Sequence, residues 1–115
     1  MTDDARLSAT AAAAIRDPAN SVFLSMASWW EMCLKIGKRK LDLAPDWQTS
    51  MPGRMAKEKI QWLHIEARHC ERTVRLAALH GDPFDRMLAA QSPEEGLTIV
   101  TVDAVFAGYG VPVLW

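Results

Sequence analysis

The sequence has few of the residues that mark special environments. It contains two cysteines, Cys33 and Cys70, whose spacing fits neither a metal-binding nor a redox motif, so we expect reduced thiols in a cytosol. No apolar run reaches the roughly 18 to 20 residues that a membrane span needs, and the opening residues MTDDARLS lack the basic and apolar regions of a signal peptide. The sequence therefore predicts a cytoplasmic protein that does not cross a membrane.

An excess of charge is also missing. The chain has 13 lysines and arginines against 14 aspartates and glutamates, a formal net charge of −1. It is not a polycation, so any contact with nucleic acid must come from a local patch. Half of the 115 residues are hydrophobic, and no repeat or low-complexity linker interrupts them, which predicts one domain over residues 1–115 with a single core.

Short strands and helices are predicted to alternate along the chain. Ser8 is expected to cap a helix over 9–16, which Asp17-Pro18 ends. The further elements, from apolar periodicity and breakers, are a strand over 22–25, a helix over 27–37, a helix from Pro45-Asp46 to Lys57, a strand over 60–65, a helix over 66–79 and an edge strand over 111–115. This alternation is typical of an α/β sandwich around a central, mostly parallel sheet.

The segment from His80 to Asp103 combines a cap, a helix and a strand. Asp82 followed by Pro83 predicts a helix start, and Gly96 predicts its end. Pro93 would remove a hydrogen bond at a cost of about 3 kcal/mol in a regular helix, so this helix is expected to end early or kink at Ser92-Pro93. The β-branched run LTIVTV over 97–102 predicts a strand buried on both faces, with Asp103 at its carboxyl end.

Three acidic residues share one topological position. Glu31 and Asp85 lie near the starts of helices, and Asp103 follows a strand. If the sheet is parallel, all three lie at the edge where open α/β sheets place their ligand sites. Clustered carboxylates repel one another unless a cation such as Mg²⁺ or Mn²⁺ binds them. The chemistry this predicts is metal-assisted hydrolysis of phosphodiester bonds.

Each acid also has a structural interpretation, which the sequence leaves open. Glu31 and Lys35 are spaced as a helical ion pair worth roughly 0.2 to 0.5 kcal/mol. Asp85 could complement the helix dipole, and Asp103 could cap a short helix that runs through Phe106.

The basic residues are the remaining candidates for binding. Lys35, Lys38, Arg39 and Lys40 could hold RNA phosphates, or could complement the dipole at a helix end. Arg86 could contact phosphate, although an intramolecular ion pair is the simpler interpretation. His64 and His69 flank Glu66, but their spacing is not that of a zinc motif.

Three motifs carry a resemblance to a known family. They are S-x-W-E at 28–31 with its continuation KIGKxKLxL, then H-x-D-P-F-D-R-M-L-A-A-Q, then G-L-T-I-V-T-V-D-x-x-F. Together they resemble the PIN-domain ribonucleases, specifically VapC-type toxins of type II toxin–antitoxin pairs, over about Arg6 to Trp115.

The resemblance implies a fold, an activity and a set of partners. The fold would be an α/β/α sandwich, and the activity that of a Mg²⁺- or Mn²⁺-dependent endoribonuclease, usually a homodimer, which a cognate antitoxin silences. By position, the catalytic and metal-binding acids would be Glu31, Asp85 and Asp103. Thr101 matches a small polar residue that accompanies the last acid, and Asp82 matches the D-P element.

One departure from the family pattern stands out. Family members begin with an apolar strand that ends in Asp, and this chain has no such strand, so neither Asp3 nor Asp4 can replace that ligand. We therefore expect a truncated or mis-started reading of a longer gene. The alternative function is a non-catalytic PIN remnant that binds an antitoxin or a partner subunit and cleaves nothing.

Overall fold

The computed structural model describes residues 8–78 and 81–115. In chain order its elements are α1 Ala9–Arg16, β1 Val22–Ser25, α2 Met26–Gly37, α3 Trp47–Lys57, β2 Ile60–Leu63, α4 Ala67–Thr73, α5 Pro83–Glu95, β3 Ile99–Val100, α6 Val105–Gly108 and β4 Val113–Leu114. The expectations for Asp3, Asp4, Arg6, Leu79 and His80 lie outside the described residues.

The chain divides into two compact units. The terminal unit comprises Met1–Asn20 with Glu66–Trp115, and the middle unit comprises Ser21–Ile65. The sequence predicts a single domain over the whole chain, which remains a prediction.

The middle unit is a parallel strand pair with two helices. β1 pairs with β2 from Val22 opposite Ile60 to Ser25 opposite Leu63. The Ser25 hydroxyl accepts the backbone N–H of Ala27 at 3.1 Å, so β1 passes directly into α2. α2 contacts β1, and α3 contacts β2. Both helices lie close to the sequence positions that were expected for them.

Tryptophans form the packing centre of the middle unit. The ring of Trp29 on α2 lies 5.4 Å from that of Trp47 on α3 and 5.2 Å from that of Trp62 on β2, centroid to centroid. Tilted and edge-on geometries at such distances are favourable for aromatic pairs. These three rings therefore join both helices to the strand pair, whereas Trp30 is 56% exposed.

The terminal unit has its own core and its own strand pair. β3 and β4 are parallel, with Ile99 opposite Val113 and Val100 opposite Leu114. Ala89, Phe106 and Val111 are the buried centre of its core. This core joins the middle of α5 to α6 and to the start of the last strand.

Helix ends agree closely with the sequence predictions. Ser8 caps α1 through a 3.0 Å hydrogen bond from the N–H of Ala11. Asp82 caps α5 with Pro83 in its first turn, and Gly96 ends that helix at φ 67°. A left-handed residue is where glycine is favoured, because it has no Cβ to strain the backbone.

Pro93 does not end its helix as expected. α5 continues through Pro93 to Glu95. The proline lies in the last turn, so it removes a single backbone donor. The carbonyl of Ser92 accepts from the N–H groups of Gly96 and Leu97, the latter at 2.9 Å. The end of the helix is thus closed by its capping bonds even though the proline supplies none.

Two other element predictions need correction. The strand over 97–102 shortens to Ile99–Val100 and is not buried on both faces, since Val100 is 40% and Val102 73% exposed. Among the described strands, β3 pairs with β4 alone, so much of the segment over 97–102 has no neighbouring strand. The helix expected over 66–79 ends at Thr73, whose carbonyl accepts from Arg86 Nη2 at 2.9 Å.

The parallel α/β architecture is confirmed, with one difference in the sheet. Both strand pairs are parallel, as expected for a PIN-like α/β fold. Within the described residues, however, the four strands form two sheets of two strands rather than one central sheet. No helix in the described ranges is long and apolar enough to cross a membrane.

Candidate functional site

Glu31 lies on α2, which starts directly after the carboxyl end of β1. Its side chain is about one third exposed and lies 3.4 Å from Lys35 Nζ, one helical turn later. Glu31 therefore forms the helical ion pair with Lys35 that its structural interpretation predicted. Such an exposed pair contributes only about 0.3 to 0.5 kcal/mol, so a divalent cation could displace Lys35 at small cost.

Asp85 lies in the first turn of α5, half-buried. The capping of this turn is already done by Asp82, whose Oδ1 accepts the N–H of Phe84 at 2.9 Å and that of Asp85 at 3.1 Å. The Asp85 carboxylate is therefore not required as the cap. A negatively charged side chain in this first turn interacts favourably with the positive end of the helix dipole.

Asp103 is exposed and follows β3 by three residues. Its N–H donates to Thr101 Oγ1 at 3.0 Å, and its Oδ1 accepts the N–H of Val105 at 3.0 Å. The side chain thus closes the start of α6, as the structural interpretation foresaw, with Ala104 as the N-cap residue. Thr101 thus contacts the backbone of the same residue, and its role as an accompanying polar residue stays a prediction.

Asp85 and Asp103 belong to two helix starts of the terminal unit whose helices pack together. The Arg86 guanidinium, next in sequence to Asp85, lies 6.0 Å from the ring centroid of Tyr109, and its Nη1 is 3.4 Å from the tyrosine hydroxyl. Tyr109 caps α6, whose Phe106 packs with Ala89 of α5. The N-terminal half of α5 is therefore packed against α6, the helix that Asp103 precedes. Glu31 lies in the middle unit.

The structure also forms a group that the sequence did not predict. Within the described ranges, one set of three potential metal-binding side chains has its ligand atoms within 4.8 Å of one another: Glu66, His69 and Glu95. Glu66 and His69 are local on α4, but Glu95 comes from the far end of α5. No sequence pattern could identify it, because the third member is 26 residues away. His64, the other histidine considered with Glu66, is not a member.

His69 is the buried centre of this group. It is 0% exposed; its Nδ1 accepts the backbone N–H of Glu66 at 3.0 Å, and its Nε2 lies 2.8 Å from Glu95 Oε2. Since Nδ1 is an acceptor, Nε2 carries the proton and donates to Glu95. A metal ion at Nε2 would have to displace that proton and its hydrogen bond.

Arginines already neutralise the acids around His69. Arg68 pairs with Glu66 at 3.3 Å and also with Glu95, while Arg72 pairs with Glu94. The hydrogen bond to Glu66 raises the pKa of Arg68, and the hydrogen bond from Arg72 lowers the pKa of Glu94. The guanidinium of Arg68 thus occupies the place of a cation. The arrangement is best explained as a clamp between α4 and α5.

Asp103 differs from this clamp in its surroundings. No lysine or arginine within the described ranges forms an ion pair with it. Its exposed carboxylate oxygens are hard donors of the kind that Mg²⁺ and Mn²⁺ prefer. By donor chemistry, the predicted acids therefore fit a divalent metal better than the arginine-bound clamp does.

The basic residues named from the sequence separate into two kinds. Lys38, Arg39 and Lys40 follow α2 and are exposed. Arg86 is instead engaged within the protein, where Nη1 donates to the carbonyl of Ala77 and Nη2 to that of Thr73, each at 2.9 Å. The predicted ion pair of Arg86 is thus replaced by carbonyl contacts, and its contact with phosphate remains only a prediction.

Comparison with known proteins gives one match. The family model described as PIN domain matches residues 1–111, which includes all of the acids discussed above. A search of curated proteins found no match.

Proposed function

Because this chain belongs to the PIN domain family, which indicates nuclease-type activity, we propose that it is a metal-dependent endoribonuclease, the toxin of a toxin–antitoxin pair. The observation that carries the proposal is that Asp85 lies in the first turn of α5 and Asp103 directly before α6, two helices of the terminal unit that share one core. Each is supported by a neighbour, Asp82 or Thr101, that fulfils a structural duty.

Asp85 and Asp103 are the side chains of the terminal unit that would hold Mg²⁺ or Mn²⁺, and for Glu31, in the middle unit, the same role stays a prediction from the sequence. A bound ion of this kind activates water and offsets charge on the attacked phosphate. The chain's own contribution is to orient these acids. Asp82 organises the first turn that carries Asp85, and Thr101 fixes the backbone of Asp103. These contacts act before any substrate binds.

The partners belong to the same proposal. We propose RNA as substrate, a second copy of the chain as a dimer partner, and a cognate antitoxin as inhibitor, with the protein in the cytoplasm. The family resemblance supports these assignments.

Calorimetric titration with Mn²⁺, together with an RNA-cleavage assay, tests the proposal. Asp85→Asn and Asp103→Asn should each weaken Mn²⁺ binding by at least about tenfold, since changes even beyond the direct ligands cost that much. Asp46→Asn is the matched control, because Asp46 is exposed and its side chain makes no capping hydrogen bond. Cleavage should require Mn²⁺ or Mg²⁺ and stop on addition of EDTA.

Three outcomes would contradict the proposal. Equal losses of affinity in all three variants would mean that Mn²⁺ responds only to overall charge. If only a Glu95→Gln variant lost affinity for Mn²⁺, the ion would lie in the clamp around His69. Mn²⁺ binding without RNA cleavage would support the non-catalytic remnant.

A further inference from the structure

The two units carry opposite charge. Between Ser21 and Ile65, the middle unit has seven lysines and arginines and four aspartates and glutamates, a formal charge of +3. The remaining residues have six and ten, a formal charge of −4. The nearly neutral total therefore conceals a basic unit, and bulk composition does not reveal it.

Six of the seven middle-unit cations lie near two helix ends. The α2 terminal cations are Lys38, Arg39 and Lys40, and the α3 terminal cations are Arg54, Lys57 and Lys59. All six are exposed, and none forms an ion pair within the described ranges. The seventh, Lys35, is paired with Glu31. None of the six therefore lies within ion-pairing distance of an acid in the described ranges.

Arg39 and Lys59 hold a backbone conformation that usually selects glycine. They are the non-glycine residues with positive φ in the described part of the chain, at 57° and 61°. Each is the second residue after its helix. After α2, the bonds from Arg39 N–H to Ile36 and from Lys40 N–H to Lys35 complete the motif in which that residue is left-handed.

Helix capping alone does not explain these two residues. The terminal unit closes α5 with Gly96 in the same conformation, which avoids the strain of a side chain. Favourable interaction with the helix dipole also does not require a cation at this position, because Lys57 is already in the last turn of α3. A strained position occupied twice by a cation suggests that the side chain itself is used.

We propose that the α2 and α3 terminal cations form a phosphate-binding surface for single-stranded RNA, with Arg39 and Lys59 as two of its contacts. The inference rests on the proposed RNA substrate and names the part of the chain that holds it. RNA binding by this surface is electrostatic and needs no metal ion. The surface therefore acts independently of Asp85 and Asp103.

Glycine substitution separates binding from folding at these positions. Arg39→Gly and Lys59→Gly remove a cation and relieve the left-handed backbone, so the Tm should not fall. Arg39→Lys keeps the charge and should keep RNA affinity. Arg16→Gln is the control for overall charge, because Arg16 is an exposed cation in the last turn of α1, in the terminal unit.

The experiment is fluorescence anisotropy of a short labelled single-stranded RNA in EDTA, titrated at several KCl concentrations. Each lost phosphate contact should lower the slope of log affinity against log salt by about 0.7, which is about a fivefold loss of affinity at 0.1 M salt. Wild-type affinity in Arg39→Gly and Lys59→Gly, an equal loss in Arg16→Gln, or no RNA binding by the wild type would overturn the proposal.

Failure of the RNA-binding surface can be told apart from failure of the proposed nuclease activity. If the variants lose RNA affinity as expected but the wild type never cleaves with Mn²⁺, the binding surface stands and the catalytic proposal fails. If cleavage occurs but the glycine variants bind RNA as the wild type does, the catalytic proposal stands and this surface is wrong.

Discussion

Replacing Asp82 separates a capping role from a metal-binding role. Asp82 Oδ1 accepts two backbone N–H groups at the start of α5, those of Phe84 and Asp85. Asp82→Ala removes this acceptor and should cost about 1 kcal/mol of unfolding free energy, within a range of about 0.5 to 2. For a chain of this size that corresponds to a fall in Tm of about 4 °C.

Asp82→Asn is the informative comparison. Asparagine is as good an N-cap residue as aspartate, so this variant keeps the acceptor oxygen and loses only the charge. The lost charge at the helix N-terminus is worth about 0.3 to 1 kcal/mol. Asp82→Asn should therefore be more stable than Asp82→Ala, and its affinity for Mn²⁺ should equal that of the wild type.

Urea unfolding followed by circular dichroism measures the stability, with unchanged slope as the sign that the same transition is compared. Calorimetry measures Mn²⁺ affinity on the same preparations. If Asp82→Asn is as unstable as Asp82→Ala, the cap does not act through its side-chain oxygen. If Asp82→Asn weakens Mn²⁺ binding as much as Asp85→Asn is expected to, then Asp82 is a ligand and our assignment of roles is wrong.

Two further predictions concern the terminal unit. Phe106→Ala should destabilise the protein by about 3 to 5 kcal/mol, because the ring is 3% exposed in the core beside Ala89; a urea midpoint within error of the wild type would contradict this. Arg72 lowers the pKa of Glu94, so the stability from this pair is present above the ordinary glutamate pKa of about 4.3 and is lost as pH falls below it. Thermal unfolding across that range should therefore show a shallower acid-side loss of Tm in Glu94→Gln than in the wild type, and an identical profile would refute the linkage.

Local signals were sufficient for most helix boundaries. The caps at Ser8, Asp82 and Gly96 each depend on residues within a few positions, so the sequence contains the whole interaction. Pro93 does not end the helix early, one of the two expected outcomes, because its cost depends on where in the helix it falls. In the last turn it removes one donor, and the capping bonds to Ser92 close the helix around it.

Long-range partners account for what the sequence could not predict. The helix ending at Thr73 depends on Arg86, 13 residues later, and the clamp around His69 depends on Glu95. The exposed strand β3 likewise reflects which strands pair with it, and a β-branched run does not encode that. Of the three predicted acids, the sequence placed Asp85 and Asp103 relative to their own helices and strand, because those relations are local.

The arginine clamp shows why proximity of acids alone is a weak sign of a metal site. Glu66, His69 and Glu95 satisfy the distance requirement, but Arg68 already supplies the positive charge that clustered carboxylates need. A metal ion would have to replace a guanidinium that makes several hydrogen bonds, at the cost of leaving a charge unpaired. The ion pair of Glu31 with Lys35 is a weaker competitor, because it is a single exposed contact.

The division of charge has a consequence for how such a nuclease would work. Acids that hold a metal repel RNA phosphates until the ion is bound, and cations that hold RNA do not bind the metal. In this chain the terminal unit carries Asp85 and Asp103 with a net charge of −4, and the middle unit carries the α2 and α3 terminal cations with a net charge of +3. Salt should therefore weaken RNA affinity through one set of residues, while EDTA should abolish cleavage through another. Because no residue belongs to both sets, the loss of one function would leave the other measurable.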